Sequence, residues 1–266
     1  MRPAIVFIGF MGAGKSTALA AARDAGLETV EIDELMEREL GMPIKQAFEQ
    51  HGEEGFRARE AEVVGALLEN ADGGAIALGG GSVLSERIRA ALGRHVVVWL
   101  QVDARESWRR IAHSDRPLAT NADDVARLLA TREPLYEELA DAIVPKADRD
   151  VVSRAMPAIQ ALAGLPSGTK LLWATSESGE YPVLVGHGLL GAIRDRGWWP
   201  LAGRRYCISD ETVAELYGEQ VQPLVEKVTI PPGEAAKTLA QVDLAIEELA
   251  DRQMTREDHV VALGGG

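Results

Sequence analysis

The sequence predicts an α/β protein whose parallel sheet is covered by helices on both faces. Short apolar runs alternate with segments of helical periodicity along all 266 residues. This is the order that builds parallel sheets from strand–helix–strand units. The strongest strand signal, at residues 96–102, is β-branched and almost wholly apolar, which is typical of a strand buried on both faces.

The other elements follow in order from periodicity and from the glycines and turns that end them. In the first part, strands are predicted at residues 4–8, 28–32, 75–78 and 96–102, with helices at 15–25, 33–40, 43–51, 53–70, 104–113 and 122–140. After the turn-rich segment 165–170, strands are predicted at 181–186, 204–209, 225–230 and 259–263, with helices at 189–196, 211–217 and 239–249.

This pattern predicts a first domain at residues 1–164, a linker at 165–170 and a second domain at 171–266. The chain ends in a glycine triplet directly after a predicted buried strand. Because such a strand normally leads into a helix that covers the sheet, we expect the second domain to be incomplete.

Composition narrows the classes of partner. The chain has 28 Lys and Arg against 41 Asp and Glu, a formal net charge of −13, whereas nucleic-acid-binding proteins show a basic excess. Cys207 is the only cysteine, and no apolar run approaches the roughly 20 residues of a membrane span. We therefore expect a cytoplasmic protein that binds neither nucleic acid nor membrane, and an anionic ligand would need a local cationic site.

Residues 9–16 read Gly-Phe-Met-Gly-Ala-Gly-Lys-Ser, the complete G-x-x-x-x-G-K-S/T pattern between a predicted strand and a predicted helix. In this pattern backbone N–H groups converge on phosphate oxygens, the lysine reaches the β- and γ-phosphates, and the serine hydroxyl binds Mg²⁺. A P-loop NTPase-type fold that uses ATP with Mg²⁺ is therefore predicted, with Ser16 as metal ligand. The predicted ATP-binding residues here are Gly12, Ala13, Gly14, Lys15, Ser16 and Thr17.

A P-loop alone does not separate kinases from GTPases and motor ATPases. Guanine-specific proteins usually carry an N-K-x-D element, but Asn70 and Asn121, the only asparagines, are each followed by alanine. The first domain is also short for a mechanical ATPase. A small-molecule kinase is therefore favoured.

Five further elements then follow in order. They are Asp33 after the second strand, F-R-x-x-E at residues 56–60, a glycine triplet at 79–81, R-P-L at 116–118 and R-x-P-L-Y at 132–136. With the P-loop, they make roughly the first 162 residues resemble shikimate kinase, which has a nucleoside-monophosphate-kinase-like P-loop fold. The resemblance implies ATP-dependent phosphorylation of shikimate, a step of chorismate and aromatic amino-acid biosynthesis.

The residue types suit a substrate that carries a carboxylate and hydroxyl groups. Arg57 and Arg132 can each bind a carboxylate through paired N–H groups. The backbone of Gly80 can approach the substrate because it has no side chain. Asp33 can orient the attacking hydroxyl and accept its proton.

Two cations are predicted to act on the phosphates. Lys15 is placed among the catalytic residues with Asp33. Arg116, in the polar segment 114–121, is predicted to close over the ATP phosphates, neutralise developing charge and exclude water.

Taken singly, these residues also fit structural roles. Asp33 suits a helix N-cap. Arg57 and Arg59 fit a solvated helix face, and Glu60 fits an ordinary ion pair as well as the family's role of orienting Arg57. Arg132 could instead form an ion pair with Asp124, Glu133 or Glu137, which lie nearby in the sequence.

Two positions are left open by the resemblance. Where the family commonly has an aspartate that helps to hold Mg²⁺, this chain has the longer Glu31, so its metal role is undecided. The family's arginine that stacks on adenine corresponds to either Arg109 or Arg110.

From about residue 179 onward the sequence resembles the N-terminal, nucleotide-binding part of 3-dehydroquinate synthase. The resemblance rests on Y-P-V-L-V-G at 181–186, S-D-E-T at 209–212, P-G-E-A-A-K at 232–237 and residues 259–266. It implies a partial Rossmann-like unit for NAD, without the family's metal-binding catalytic half. The implied NAD-binding residues are Asp210, Glu234, Lys237, Gly264 and Gly265.

For Glu234 and Lys237, favourable electrostatics at a helix start is the alternative to NAD binding. The two resemblances together suggest a bifunctional gene product, with a kinase domain able to act as a monomer and a synthase-like unit that dimerises when complete. Two other functions are alternatives to shikimate kinase. One is a different small-molecule kinase, such as one for sugar acids, and the other is a non-catalytic nucleotide-binding scaffold.

Overall fold

The computed structural model describes residues 1–112, 121–145, 147–177, 179–196, 199 and 203–264. The chain divides into two compact units, Met1–Gly186 and His187–Gly266. The segment predicted as a linker, residues 165–170, lies inside the first unit, where it turns the chain into another strand of the same sheet. The assignment of functional domains at residues 1–164 and 171–266 stays a prediction.

The first unit is built on a seven-stranded sheet. Its strands in chain order are β1 (Ile5–Ile8), β2 (Thr29–Glu31), β3 (Ala75–Ala77), β4 (Val96–Leu100), β5 (Ala142–Val144), β6 (Lys170–Ser176) and β7 (Gly179–Val185). The spatial order is β2-β3-β1-β4-β5-β6-β7. All neighbours pair in parallel except β6 and β7, which are antiparallel. The predicted parallel sheet is thus confirmed.

Seven helices of this unit lie within the described residues. They are α1 (Lys15–Asp24), α2 (Ile32–Leu40), α3 (Ile44–Asn70), α4 (Glu86–Leu92), α5 (Ala104–Ile111), α6 (Ala122–Leu139) and α7 (Arg149–Leu162). The two helices predicted on either side of residue 52 form the single element α3, which is interrupted by the non-helical conformation of Gly52 (φ 68°, ψ 175°).

The central strands of this sheet are buried, and the parallel strands bring several predicted site residues together at their carboxyl ends. Every residue of β1 and of β4 is buried, as their apolar sequences require of strands covered on both faces. Because β1, β2 and β3 are parallel neighbours, their carboxyl ends meet at one edge of the sheet. The P-loop, Asp33 and the glycine triplet each follow one of these three strands.

The second unit has a three-stranded parallel sheet, with β8 (Arg205–Asp210) between β9 (Glu226–Ile230) and β10 (His259–Leu263). Its helices are α8 (Leu189–Arg196), α9 (Glu211–Tyr217) and α10 (Leu239–Asp251). A small core joins Tyr206 and Val228 of the sheet to Ala245 and Leu249 of α10. In both units, no helix within the described ranges is long and apolar enough to cross a membrane.

Candidate active site

The P-loop connects β1 to α1 in a conformation that its glycines permit. Gly14, the N-cap of α1, has a φ of 93°, and a Cβ there would lie 2.5 Å from the carbonyl oxygen of Ala147. Only glycine fits such a position. The Lys15 ammonium donates hydrogen bonds to the carbonyl oxygens of Gly9 (2.9 Å) and Phe10 (3.0 Å). Its side chain therefore folds back across the loop.

A cleft of about 400 Å³ lies at this loop. The predicted ATP-binding residues on its wall are Gly12, Gly14, Lys15, Ser16 and Thr17. Ala13 is buried, and its N–H donates to the carbonyl oxygen of Phe10 within the loop. The cleft therefore gathers five of the six predicted residues of this segment at the start of α1, where N–H groups favour phosphate.

Ser16 and Glu31 suit Mg²⁺ that is shared with phosphates. Both line the cleft, and the Ser16 hydroxyl donates to Glu31 Oε1 at 2.5 Å. Among the described residues, no group of three or more His, Cys, Asp or Glu side chains could hold a metal by itself. A hydroxyl beside one carboxylate fits Mg²⁺, which is usually bound through few protein groups together with phosphate oxygens and water.

A second cleft, of about 860 Å³, adjoins the first. The four predicted substrate-binding residues, Asp33, Arg57, Gly80 and Arg132, all line it. Asp33 and Gly80 also line the P-loop cleft. These two residues therefore lie where a nucleotide phosphate and a small acceptor would meet.

Asp33 does not cap its helix. Helix α2 begins at Ile32 with Glu31 as the N-cap, so Asp33 lies within the first turn. The N-cap alternative for Asp33 is wrong, and its carboxylate is available to the two clefts. A Cβ placed on Gly79 would lie 3.3 Å from Asp33 Oδ1, which shows how closely the glycine triplet approaches this carboxylate.

The alternative that Arg57 and Arg59 lie on a solvated helix face is wrong for Arg57 and correct for Arg59. Arg57 Nη1 donates to Glu60 Oε2 at 2.5 Å, and its guanidinium carbon lies 5.4 Å from the ring centre of Phe56. Glu60 is only 2% exposed, and its other oxygen accepts from the Ser82 hydroxyl at 2.6 Å. Arg59 is exposed and pairs with surface glutamates. Glu60 therefore orients Arg57.

Arg132 is buried, and its guanidinium carbon lies 5.7 Å from the ring centre of Phe10. Asp124, one of its proposed acidic partners, forms an ion pair with Arg127. One turn further along α6, the fully buried Tyr136 donates from its hydroxyl to the carbonyl oxygen of Gly80 at 2.5 Å. Sequence reasoning gave Tyr136 no role, and its place in the R-x-P-L-Y element was the available signal.

The structure distinguishes Arg110 from Arg109. Arg110 Nη1 donates to the carbonyl oxygen of Gly12 at 2.7 Å. It also lines both the P-loop cleft and an adjoining cavity of about 600 Å³ that includes Pro145. The Arg109 side chain is 75% exposed and pairs with Glu106. Both arginines pair with Glu106, but of the two only Arg110 lines the P-loop cleft.

The remaining predicted site residues are the second cation for the phosphates and the NAD-binding set. Arg116 and Gly265 lie outside the described residues. In the second unit, Asp210 caps α9 by accepting from the Val213 N–H at 2.9 Å. Glu234 and Lys237 pair with each other at 2.6 Å on the surface.

Gly264 directly follows β10, and Asp210 is the last residue of β8. Because Leu263 of β10 aligns with Ser209 of the parallel strand β8, Gly264 and Asp210 lie at the same sheet edge. The surface pair of Glu234 and Lys237 is a separate feature of the segment that follows β9.

A P-loop at the end of a central parallel strand, beside an arginine-lined cleft that shares an aspartate with it, defines a P-loop phosphotransferase for a small acceptor. The profile of the shikimate kinase family matches residues 11–162. Shikimate kinase from Nitrobacter winogradskyi is 45% identical over 155 residues, which are 55% of this chain and 70% of that protein. Shikimate kinase from Halorhodospira halophila is 41% identical over 169 residues, 61% of this chain and 95% of that protein.

Among solved structures, the shikimate kinase from Acinetobacter baumannii in complex with shikimate matches with a TM-score of 0.56 and 31% identity. The match covers 61% of this chain and 95% of that one. The chain belongs to the shikimate kinase family.

Proposed function

We propose that the first unit transfers the γ-phosphoryl group of ATP to a hydroxyl of shikimate, giving 3-phosphoshikimate and ADP. The observation that carries this proposal is the pair of adjoining clefts that share Asp33 and Gly80. One cleft has the phosphate-binding loop and the other has two arginines suited to a carboxylate. Phosphoryl transfer needs such positioning because catalysis rests on alignment and charge stabilisation.

Each side chain then has a role in the reaction. Arg57 and Arg132 bind the carboxylate of the acceptor and fix its orientation. Asp33 aligns the attacking hydroxyl and accepts its proton as the new P–O bond forms. Lys15 stabilises the phosphates, and Arg116 is predicted to close over them and neutralise developing charge.

Ser16 and Glu31 are the residues that would hold Mg²⁺, which when bound neutralises charge on the β- and γ-phosphates. Glu31 accepts the hydrogen bond of the Ser16 hydroxyl and so directs the oxygen lone pairs of Ser16 away from itself. Arg110 supports the base from the neighbouring cavity.

A coupled assay of ADP release tests the proposal. The wild-type chain should turn over only when ATP, Mg²⁺ and shikimate are all present. Turnover with gluconate but not with shikimate would instead favour a sugar-acid kinase, and ATP binding without turnover would favour a scaffold.

Two matched arginine variants sharpen this test. Arg57→Ala should raise the KM for shikimate by about 10- to 100-fold through loss of a charge-assisted contact, and leave the KM for ATP nearly unchanged. Arg59→Ala removes a guanidinium two residues away that pairs only with surface glutamates in the described structure. It should behave like the wild type; equal effects of the two variants would contradict the proposed substrate site.

For the second unit, we propose an NAD-binding role like that of the N-terminal part of 3-dehydroquinate synthase. The chain passes from β8 to β9 on one side and then to β10 on the other. In open parallel sheets, ligands bind at such a switch point, beyond the carboxyl ends of the strands. Asp210 and Gly264 flank that position.

Calorimetric titration of the chain with NAD tests this role. ADP and Mg²⁺ are kept saturating, so that binding at the P-loop does not contribute. Weak, saturable binding is expected, and Asp210→Asn should weaken it while keeping an N-cap side chain on α9. Absence of binding at millimolar NAD, with kinase activity intact, would refute the proposal for the second unit alone.

A further inference from the structure

We propose that Tyr136 is a positioning residue for the phosphate acceptor, because its hydroxyl fixes the backbone of the glycine triplet next to Arg132. The inference rests on the proposed function of the first unit and adds a residue to its substrate site. Tyr136 itself is completely buried, so it acts through Gly80 and Arg132.

The triplet Gly79-Gly80-Gly81 depends on its neighbours for a fixed conformation. Three successive glycines have no side chains that could hold the loop in one conformation, and glycine has the widest range of backbone angles. Gly80 is nevertheless needed in a defined geometry, since it lines both clefts. The hydrogen bond from the Tyr136 hydroxyl to its carbonyl oxygen, 2.5 Å long, joins this loop to helix α6.

That hydrogen bond also sets the direction of an N–H group. The carbonyl of Gly80 and the N–H of Gly81 belong to one planar trans peptide and point in opposite directions. Holding the carbonyl oxygen on Tyr136 therefore turns the Gly81 N–H away from α6. The carbonyls of Gly79 and Gly81 accept from the N–H groups of Ser82 and Leu84, so loss of the Tyr136 bond loosens only the peptide between Gly80 and Gly81.

The two arginines of the substrate cleft act on the Tyr136 hydroxyl. Burial raises the pKa of Tyr136, while the Arg132 guanidinium lowers it by its charge and by hydrogen bonding, and the charge of Arg57 lowers it further. The hydroxyl thus lies beside Arg132, and the charge of Arg57 also acts on it. Because burial is the largest of these effects, the phenol remains protonated and able to donate to Gly80.

The packing of the ring allows a clean test. The Tyr136 ring lies 6.2 Å from that of Trp99, and phenylalanine would keep this contact while removing the hydroxyl. Tyr206 offers a matched control, because it is also fully buried and its hydroxyl donates to the backbone carbonyl of Arg252 at 2.9 Å. Tyr206→Phe therefore removes a similar buried hydrogen bond in the second unit.

Steady-state kinetics of both variants test the inference. Tyr136→Phe should raise the KM for shikimate by roughly 3- to 10-fold, as expected for one lost hydrogen bond, and leave the KM for ATP within about 2-fold. Tyr206→Phe should change neither constant. A wild-type KM for shikimate in Tyr136→Phe, or equal increases in both KM values, would overturn the inference.

A double-mutant cycle with Arg132→Ala provides a second measurement, taken as shikimate affinity by calorimetry. Effects of Tyr136→Phe and Arg132→Ala that are less than multiplicative would support positioning through Arg132, since contacting residues couple. Strictly multiplicative effects of the two substitutions would contradict positioning through Arg132. If the wild-type chain does not phosphorylate shikimate, the proposed function fails instead, so the two failures are distinguishable.

Discussion

Replacing Gly81 by alanine should displace Arg57 and weaken substrate binding. The backbone of Gly81 has a φ of −103°, which alanine adopts readily. A methyl group at residue 81 would, however, lie 2.5 Å from the guanidinium carbon of Arg57. The perturbation is therefore steric and is directed at one side chain.

The magnitude follows from this distance. Ordinary contact begins at 3.4 Å, so the guanidinium must move by about 1 Å, a misplacement that can cost up to about 10²-fold in activity. Arg57 is held by Glu60 on one side and by the Phe56 ring on another, so it cannot move without losing contacts. Loss of a charge-assisted contact of about 1.5–3 kcal/mol corresponds to a rise of roughly 10- to 100-fold in the KM for shikimate.

The assay is the coupled measurement of ADP release, with shikimate and ATP varied in turn. Gly65→Ala is the matched control, because its methyl group would lie 2.6 Å from Nε of Arg87, an exposed arginine that pairs with Glu69. It should leave both KM values unchanged. A normal KM for shikimate in a folded Gly81→Ala variant would refute the assignment of Arg57 to the carboxylate.

Three further predictions concern other parts of the first unit. Arg110→Ala should raise the KM for ATP by roughly 10-fold, because it removes the charge-assisted hydrogen bond to the Gly12 carbonyl of the P-loop, whereas Arg109→Ala should not; equal effects in ATP-dependent kinetics would contradict the distinction. Glu31→Gln should shift the Mg²⁺ dependence of the rate to higher concentration, because the amide lacks the carboxylate charge beside the Ser16 hydroxyl; an unchanged Mg²⁺ titration would argue against it. Burial lowers the pKa of His95, so the unfolded chain protonates first as pH falls, and the free energy of unfolding should decrease below about pH 6.5; in urea unfolding, this decrease should be smaller for His95→Leu than for the wild type.

Much of the P-loop site was predictable because its chemistry is local in sequence. The pattern at residues 9–16 predicted both the loop and its position between a strand and a helix. Asp33 could be placed because it follows a strand parallel to the P-loop strand, and parallel strands bring their carboxyl ends together. The predicted fold class was confirmed because the alternation of strands and helices on which it rests is also a local feature of the sequence.

Other features depend on tertiary contacts that periodicity does not report. Adjacent helical residues point in different directions, so Arg109 and Arg110 could be distinguished only by the rotation of α5 against the P-loop. The role of Tyr136 arises from a hydrogen bond across 56 residues. Helix α7 was missed, and Pro157 within it is a residue that normally disfavours helix interiors.

The acidic net charge and the anionic substrates are compatible because three cations in the described part of the site are held in place before the substrate arrives. Arg57 is oriented by the buried Glu60, Arg132 by burial over Phe10, and Lys15 by carbonyl oxygens of the P-loop. A cation that is already held in place loses little freedom when it binds a carboxylate or phosphate. Local geometry, rather than overall charge, therefore determines whether this chain binds an anion, and changes that misdirect these cations should weaken binding more than changes in surface charge.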